Sequence, residues 1–167
     1  PRFFELWGLN NTGQDNGDSG VDISIDEAWD VSTGASNVTE AVIDTGVDML
    51  HEDLVDNIWV NEGEIPNNNI DDDGNGYIDD VNGWDFCDND NDPSDGGTHG
   101  THVAGTIAAS AGNGKGIVGV APNVKIMPIR LLAGGYKSCS AYIPSSEVFK
   151  YVADNGASIV NTSYGCA

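Results

Sequence analysis

The 167-residue chain has few basic residues and few cysteines, and it has no long uninterrupted apolar run. Lysine and arginine total 6 against 27 aspartates and glutamates, so the formal net charge is −21. Because this charge would repel a polyanion, the composition excludes a general nucleic-acid-binding protein. The lack of an apolar stretch of about 18 residues leaves no candidate for a membrane-spanning helix, and we expect no membrane partner.

Cysteine is scarce, with only Cys87, Cys139 and Cys166. None of the three belongs to a CxxC pair, which argues against a cysteine-based zinc site. An odd number allows one disulfide and one free thiol, but the sequence does not choose the pair.

The sequence also lacks an initiating methionine and a signal peptide, since it begins at Pro1. We therefore expect a trimmed or processed piece. Residues 160–167 are typical of a strand running into a turn, and we expect further chain beyond Ala167. The length fits one domain with a substantial core.

Lysine and arginine are absent between Arg2 and Lys115, and ten acidic residues lie from Asp71 to Asp95. A solvated acidic loop, or adaptation to high salt, is one interpretation of this pattern. We favour a site for a hard cation, because such ions require clustered oxygen ligands.

The segment that begins at Asp71 resembles the first half of an EF-hand loop, with side-chain oxygens at positions 1, 3 and 5 and glycine at position 6. The usual glutamate at position 12 is replaced by Asn82, so Asp79 or Asp80 is the predicted closing ligand. We predict a structural calcium ion that orders this loop. Its expected ligands are Asp71, Asp73, Asn75, the carbonyl of Tyr77, and Asp79 or Asp80.

The periodicity predicts an α/β domain with a parallel sheet covered by helices, because apolar strands alternate with helical segments. Ser24 and Glu27 form a potential capping box. A long polar loop spans about 48–97. The predicted helices cover about 25–31, 99–111 and 146–153, and the predicted strands cover about 38–44, 124–131 and 158–163.

Two motifs carry catalytic chemistry. Residues 41–46 end a buried strand with Asp44 on a tight turn, and residues 98–106 place His99 at the start of a helix of small and apolar residues. A carboxylate that holds an imidazole N–H prepares the other ring nitrogen to accept a proton from a hydroxyl. Alone, Asp44 is more typical of a turn residue that binds the Thr45 and Gly46 amides. Its combination with the histidine motif favours the catalytic role.

A zinc site is a weaker alternative, because His51, His99 and His102 are three imidazoles. The spacing is not that of HExxH, and no glutamate lies between His99 and His102. We interpret His102 instead as a histidine of the core.

Residues 41–48 and 99–106 resemble the aspartate and histidine boxes of the subtilisin-like serine proteases (subtilases, peptidase family S8). The resemblance continues at 119–122 and 159–165, and it covers nearly the whole chain. It implies a three-layer parallel-sheet fold, in which residues 1–167 form the N-terminal portion of a single peptidase domain.

The resemblance also implies roles for individual residues in a serine endopeptidase. Asp44 corresponds to the orienting carboxylate and His99 to the general base, while Ser163, Tyr164 and Gly165 correspond to the segment that pairs with substrate. The other substrate-pairing strand, near 134–135, matches poorly and stays open. The family's nucleophilic serine and oxyanion asparagine have no counterpart up to Ala167, so we expect both in later chain and expect this chain alone to be inactive.

The family further suggests a second calcium site, at Asp53 and Asn113 with the carbonyls of Ser110, Lys115 and Ile117. It implies protein or peptide substrates, a propeptide partner, secretion and a monomeric enzyme. Two alternatives from other functional classes remain: an inactive relative that binds peptides, and an extracellular calcium-binding module.

Overall fold

A computed structural model of the chain describes residues 2–133, 137–139 and 145–165. Short 3-10 turns lie at Phe3–Glu5, Gln14–Asn16 and Val55–Asn57. Within these described ranges, no helix is long and apolar enough to cross a membrane. The helices are α1 (Ile25–Trp29), α2 (His99–Ala108) and α3 (Ser145–Asp154), and the strands are β1 (Thr39–Asp44), β2 (Trp84–Asp85), β3 (Lys125–Arg130), β4 (Leu132–Ala133), β5 (Lys137–Ser138) and β6 (Ile159–Asn161).

The main sheet has the strand order β2-β3-β1-β6, and every neighbouring pair is parallel. In this register Asp44 lies opposite Arg130, and Val42 lies opposite both Pro128 and Asn161. Strands β4 and β5 form a separate antiparallel pair. The predicted parallel sheet is confirmed, and all four strands end at the same edge.

Helices cover both faces of the sheet, because alternate residues of β1 and β3 enter two different apolar clusters. On the α3 face, Ala41 and Ile43 of β1 pack with Val148 and Val152. On the α2 face, Val42 packs with Ala104 and its neighbours. This three-layer arrangement explains why the central strands are apolar on both sides and do not alternate between apolar and polar residues.

The predicted capping box at Ser24 is wrong in its geometry. Ser24 has a left-handed backbone (φ +52°), and its side chain makes no cap hydrogen bond. Its N–H instead donates to Asp22 Oδ1 at 2.8 Å, so a turn around Asp22 begins the helix. Helix α1 is only five residues long and ends at Trp29, before the predicted end.

Helix α2 also ends before the predicted residue, at Ala108. Ala109 takes an extended conformation, and the Asn57 side chain donates to the Ala108 carbonyl at 2.8 Å. This bond satisfies one of the carbonyls that a helix end leaves without an intrahelical partner. The cap comes from a residue 51 positions away in sequence, which local patterns do not reveal.

The long segment between Asp44 and His99 contains a strand that the sequence did not predict. Strand β2 pairs with β3 at the edge of the sheet. Edge-to-face ring contacts place Tyr77 against Trp84, at a centroid distance of 5.0 Å, and against Tyr151 at 4.7 Å. We call residues 64–80 the acidic loop. This loop is therefore anchored to the core by the aromatic packing of Tyr77.

The structure selects the disulfide that the sequence left open, because Cys87 and Cys139 are bonded. Cys87 follows β2 and Cys139 follows β5, so the bond links two loops that are 52 residues apart. Cys166 and residues 134–135 lie outside the described residues.

Glycine packing between α2 and β1 yields a stability prediction. A Cβ atom at Gly100 would lie 2.1 Å from the Gly46 carbonyl oxygen, whereas one at Gly105 would lie 3.7 Å from Ile117 Cδ1. We expect Gly100→Ala to lower the free energy of unfolding by about 1–3 kcal/mol, since the backbone must shift. We expect Gly105→Ala, on the same helix, to be neutral or to stabilise by up to about 1 kcal/mol. Urea denaturation of both variants checks this, and equal stability would contradict the packing.

Candidate active site

Asp44 and His99 form a hydrogen-bonded pair at the carboxyl edge of the sheet. The Nδ1 atom of His99 lies 2.8 Å from Asp44 Oδ1 and 2.9 Å from Oδ2. The Asp44 side chain is fully buried, and the His99 side chain is 29% exposed. Because an ionised carboxylate only accepts hydrogen bonds, this geometry places the proton on Nδ1 and the basic lone pair on Nε2.

The turn interpretation of Asp44 is confirmed for one of its two predicted amides. Its Oδ1 atom accepts the Thr45 N–H at 2.7 Å. The same carboxylate therefore orders the chain that leaves β1 and orients the imidazole. The structure brings together the two residues that the sequence predicted as the orienting carboxylate and the general base.

Two close backbone contacts position this pair. Gly46 has φ +96°, and a Cβ atom there would lie 2.4 Å from the Ser94 carbonyl oxygen. Val47 donates its N–H to the Pro93 carbonyl at 3.0 Å. The segment that leads into α2 therefore packs directly on the turn after β1, and Gly100 packs on the other side of that turn.

The predicted substrate segment lies at the same edge. Strand β6 pairs with β1, so residues 163–165 follow the strand next to Asp44. Burial and the nearby Asp44 charge raise the pKa of the Tyr164 phenol. The Ser163 hydroxyl donates to Asn161 Oδ1 at 2.7 Å.

The three histidines do not form a metal group in the described part of the chain. His102 is exposed on α2, so its predicted place in the core is wrong. The buried face of α2 is formed by small residues instead. These are Gly100, Ala104, Gly105 and Ala108. His51 accepts the Asp53 N–H at its own Nδ1, at 3.2 Å.

The acidic loop gathers a carboxylate that the sequence analysis missed. Carboxylate oxygens of Glu64, Asp71 and Asp73 lie within 4.8 Å of one another, a group with the ligand chemistry of a metal site. Glu64 is buried and accepts the N–H groups of Asp72 and Asp79, at 2.8 and 3.0 Å. Nothing in the local sequence marks it, because it precedes the EF-hand-like pattern.

The two predicted closing ligands have other partners. Asp79 accepts the N–H groups of Asn68 and Asn69, at 3.1 and 2.9 Å. Asp80 is fully buried and accepts a hydrogen bond from the Tyr151 hydroxyl at 2.7 Å. Burial raises the pKa of Asp80, although hydrogen bonds from Tyr151 and two asparagines oppose the rise.

Asn75 connects Asp73 to Asp80 within this loop. Its Nδ2 atom lies 3.2 Å from Asp73 Oδ2 and 3.0 Å from Asp80 Oδ2. Its Oδ1 atom accepts the Tyr77 N–H at 2.8 Å. The loop therefore has its predicted residues close together, and the closing ligand stays a prediction.

The second predicted calcium pair is also in contact. Asn113 Nδ2 lies 2.7 Å from Asp53 Oδ1, and Asp53 Oδ2 accepts the Ile117 N–H at 3.0 Å. Asp53 is buried, and its carbonyl accepts the Ser110 N–H at 2.8 Å. The loop after α2 thus wraps around Asp53.

Known proteins match the chain in sequence and in fold. The thermophilic serine proteinase of Bacillus sp. (strain AK1) is 40% identical over 141 residues, which are 84% of this chain and 29% of that protein. Thermitase of Thermoactinomyces vulgaris is 34% identical over 86% of this chain and 42% of thermitase. The Aeromonas sobria serine protease, solved with the chaperone ORF2, superposes on all of this chain and 26% of its own, with a TM-score of 0.73 and 26% identity.

The chain spans less than half the length of each of these three proteins. Residues 35–166 match the Subtilase family (Peptidase_S8). The matched region contains β1, α2, β3 and β6, together with the Asp44–His99 pair. Because this match covers most of the sequence and contains the whole main sheet, the chain belongs to the subtilase family.

Proposed function

We propose that this chain supplies the orienting carboxylate and the general base of a serine endopeptidase that hydrolyses peptide bonds in proteins. The observation that carries the proposal is the contact of His99 Nδ1 with both carboxylate oxygens of buried Asp44. The nucleophilic serine and the oxyanion asparagine are proposed to lie beyond Ala167, since the sequence contains no Gly-Thr-Ser box.

In this mechanism Nε2 of His99 accepts the serine proton as the hydroxyl oxygen attacks the scissile carbonyl. Buried Asp44 stabilises the imidazolium that forms and keeps the ring in one tautomer. The imidazolium then donates its proton to the leaving amine, and an acyl-enzyme remains. Water repeats the sequence with His99 as base, which releases the acid product and restores the serine.

The substrate is proposed to be an extended peptide bound along residues 163–165. The segment follows β6, which has only β1 as a strand neighbour among the described residues. An extended chain can add to such an edge through backbone hydrogen bonds. Burial and the Asp44 charge raise the pKa of the Tyr164 phenol, which supports a location of this segment near the Asp44–His99 pair.

Calcium is proposed as a structural ion in the acidic loop. Glu64, Asp71 and Asp73 bring three carboxylates together, and the chain has no lysine or arginine between Arg2 and Lys115 to balance them. A hard divalent cation would remove their mutual repulsion and suits oxygen ligands. Asp53 and Asn113 are proposed as the second site on the same chemical grounds.

Secretion is proposed from the Cys87–Cys139 disulfide, since such bonds persist mainly in oxidising compartments. A folding partner, either a propeptide or a separate chaperone, is proposed by analogy with the Aeromonas sobria protease, which was solved with its chaperone.

Labelling of the serine tests the function directly. A fluorophosphonate should label the full-length protein, and His99→Ala should reduce labelling to background because the base and the nucleophile act as a unit. His102→Ala, which replaces an exposed histidine one helical turn away, is the control and should label normally. An unlabelled wild-type protein would favour the inactive relative, and labelling that survives in His99→Ala would exclude the assigned base.

Asp44→Asn isolates the role of the carboxylate. The amide has nearly the same shape, but it does not hold the Nδ1 proton as an anion does. By analogy with other triads we expect kcat to fall about 10³–10⁴-fold with little change in KM. Circular dichroism would verify the fold, and a fall of less than about tenfold would contradict the orienting role.

Calcium removal tests the proposed ion. We expect saturating calcium to raise the thermal midpoint, by mass action worth about 2.7 kcal/mol at 100 times Kd. Glu64→Gln should lose most of this rise, whereas Glu62→Gln, an exposed glutamate two residues away, should keep it. Calorimetry with and without EDTA measures the thermal midpoints of the wild type and of both variants. A wild-type midpoint that does not change on calcium removal would contradict the calcium proposal.

A further inference from the structure

A second carboxylate, Asp95, lies at the junction between β1 and α2 and has no role in the proton transfers described above. Its Oδ1 atom accepts the Thr45 hydroxyl at 2.7 Å and the N–H groups of Gly97 and Thr98 at 2.7 and 2.8 Å. Its Oδ2 atom accepts both the N–H of Thr101, at 3.0 Å, and the Thr101 hydroxyl. The Asp95 carboxylate thus binds groups in the turn after β1 and in the first turn of α2.

The residues bound by Asp95 are close neighbours in sequence of the catalytic pair. Thr45 directly follows Asp44, and Thr101 lies two residues after His99. The Thr45 hydroxyl also accepts the Gly100 N–H at 3.0 Å, so it bridges Asp95 to the residue beside His99. These bonds connect Asp44, through the adjacent Thr45, to the first turn of α2, which contains His99.

A second path runs through Thr101. Its hydroxyl donates to Asp95 and accepts the Asp48 N–H at 2.9 Å, so it ties α2 to the chain beyond the β1 turn. Asp95 also lies at the N-terminal end of α2, where exposed N–H groups and the helix dipole favour an anion. Thr98, the residue before the helix, has a left-handed backbone (φ +69°) and makes no side-chain cap bond.

The environment keeps Asp95 ionised. Burial alone would raise its pKa, but the hydrogen bonds from Thr101, Gly97 and Thr45 outweigh burial and hold the pKa below the ordinary value. An anion that accepts several converging hydrogen bonds holds its donors in fixed positions, because displacement of the anion lengthens more than one charge-assisted bond.

We propose that Asp95 is a positioning residue, whose carboxylate joins the turn after β1 to the first turn of α2 and thereby sets the Asp44–His99 contact. It does not touch the reacting atoms and acts through Thr45, Gly100 and Thr101. The effect on catalysis rests on the proposed function, whereas the effect on the Asp44–His99 hydrogen bond does not.

The test compares Asp95→Asn with Asp92→Asn in the full-length protein. Asp92 is exposed in the same loop, and its carboxylate accepts hydrogen bonds from the N–H and the hydroxyl of Ser94, so it controls for the loss of one charge. We expect Asp95→Asn to lower kcat about 10–100-fold with KM changed less than about twofold, since small misplacements of catalytic groups reduce rates on this scale. Asp92→Asn should leave both constants unchanged.

The Thr45 hydroxyl provides a test that leaves the charge intact. Thr45→Val keeps the buried shape but removes the hydroxyl between Asp95 and Gly100, whereas Thr45→Ser restores it. We expect the valine variant to lower kcat in the same direction as Asp95→Asn, and the serine variant to recover most of the loss. This pair decides the proposal if Asp95→Asn fails to fold.

The proton on His99 Nδ1 gives a readout that does not require catalysis. Its downfield NMR resonance reports the hydrogen bond to Asp44, and we expect it to shift upfield or broaden in Asp95→Asn and Thr45→Val but not in Asp92→Asn. Folded variants with unchanged kcat and an unchanged resonance would overturn the proposal. If the wild-type protein hydrolyses no peptide, the proposed function fails, and the resonance alone still confirms or excludes the positioning role.

Discussion

The structure depends on the close contact between the turn after β1 and the first turn of α2. Gly100 approaches the Gly46 carbonyl at a distance that excludes a side chain, and the Asp44–His99 bond forms directly beside this contact. Parallel strands bring Asp44 to the carboxyl edge of the sheet, but they do not determine how near the helix approaches. That separation is determined by small residues and by the bonds of Asp95, because packed backbone atoms leave no room for adjustment.

Main-chain groups stabilise many of the carboxylates of this chain. Between Arg2 and Lys115 there is no lysine or arginine, yet Glu64, Asp71 and Asp95 each accept hydrogen bonds from several backbone N–H groups. Such bonds stabilise an anion without a counter-ion, although they do not cancel its charge. Where carboxylates converge, as in the acidic loop, the remaining repulsion is what a bound cation would relieve.

Much of the site could be predicted from local patterns, because its main residues lie at the ends of regular elements. Asp44 ends an apolar strand and His99 begins a helix of small residues, so the positions of both residues were visible in sequence. Glu64 and Asp95 were not recognised, since no periodic pattern marks them and their bonding becomes visible only when the loops fold. Strand β2 was missed because two residues are too few to show alternation.

The sequence by itself determined the parallel α/β architecture, the positions of Asp44 and His99 at the ends of regular elements, and the presence of a negatively charged loop. These follow from apolar periodicity and from residue chemistry at fixed spacing, which are local properties. Only the tertiary structure decided that Cys87 pairs with Cys139, that Glu64 joins Asp71 and Asp73, and that Asp95 joins the two catalytic elements. The physical reason is that these contacts depend on how turns, strands and helices pack against one another, so no local sequence pattern determines their distances.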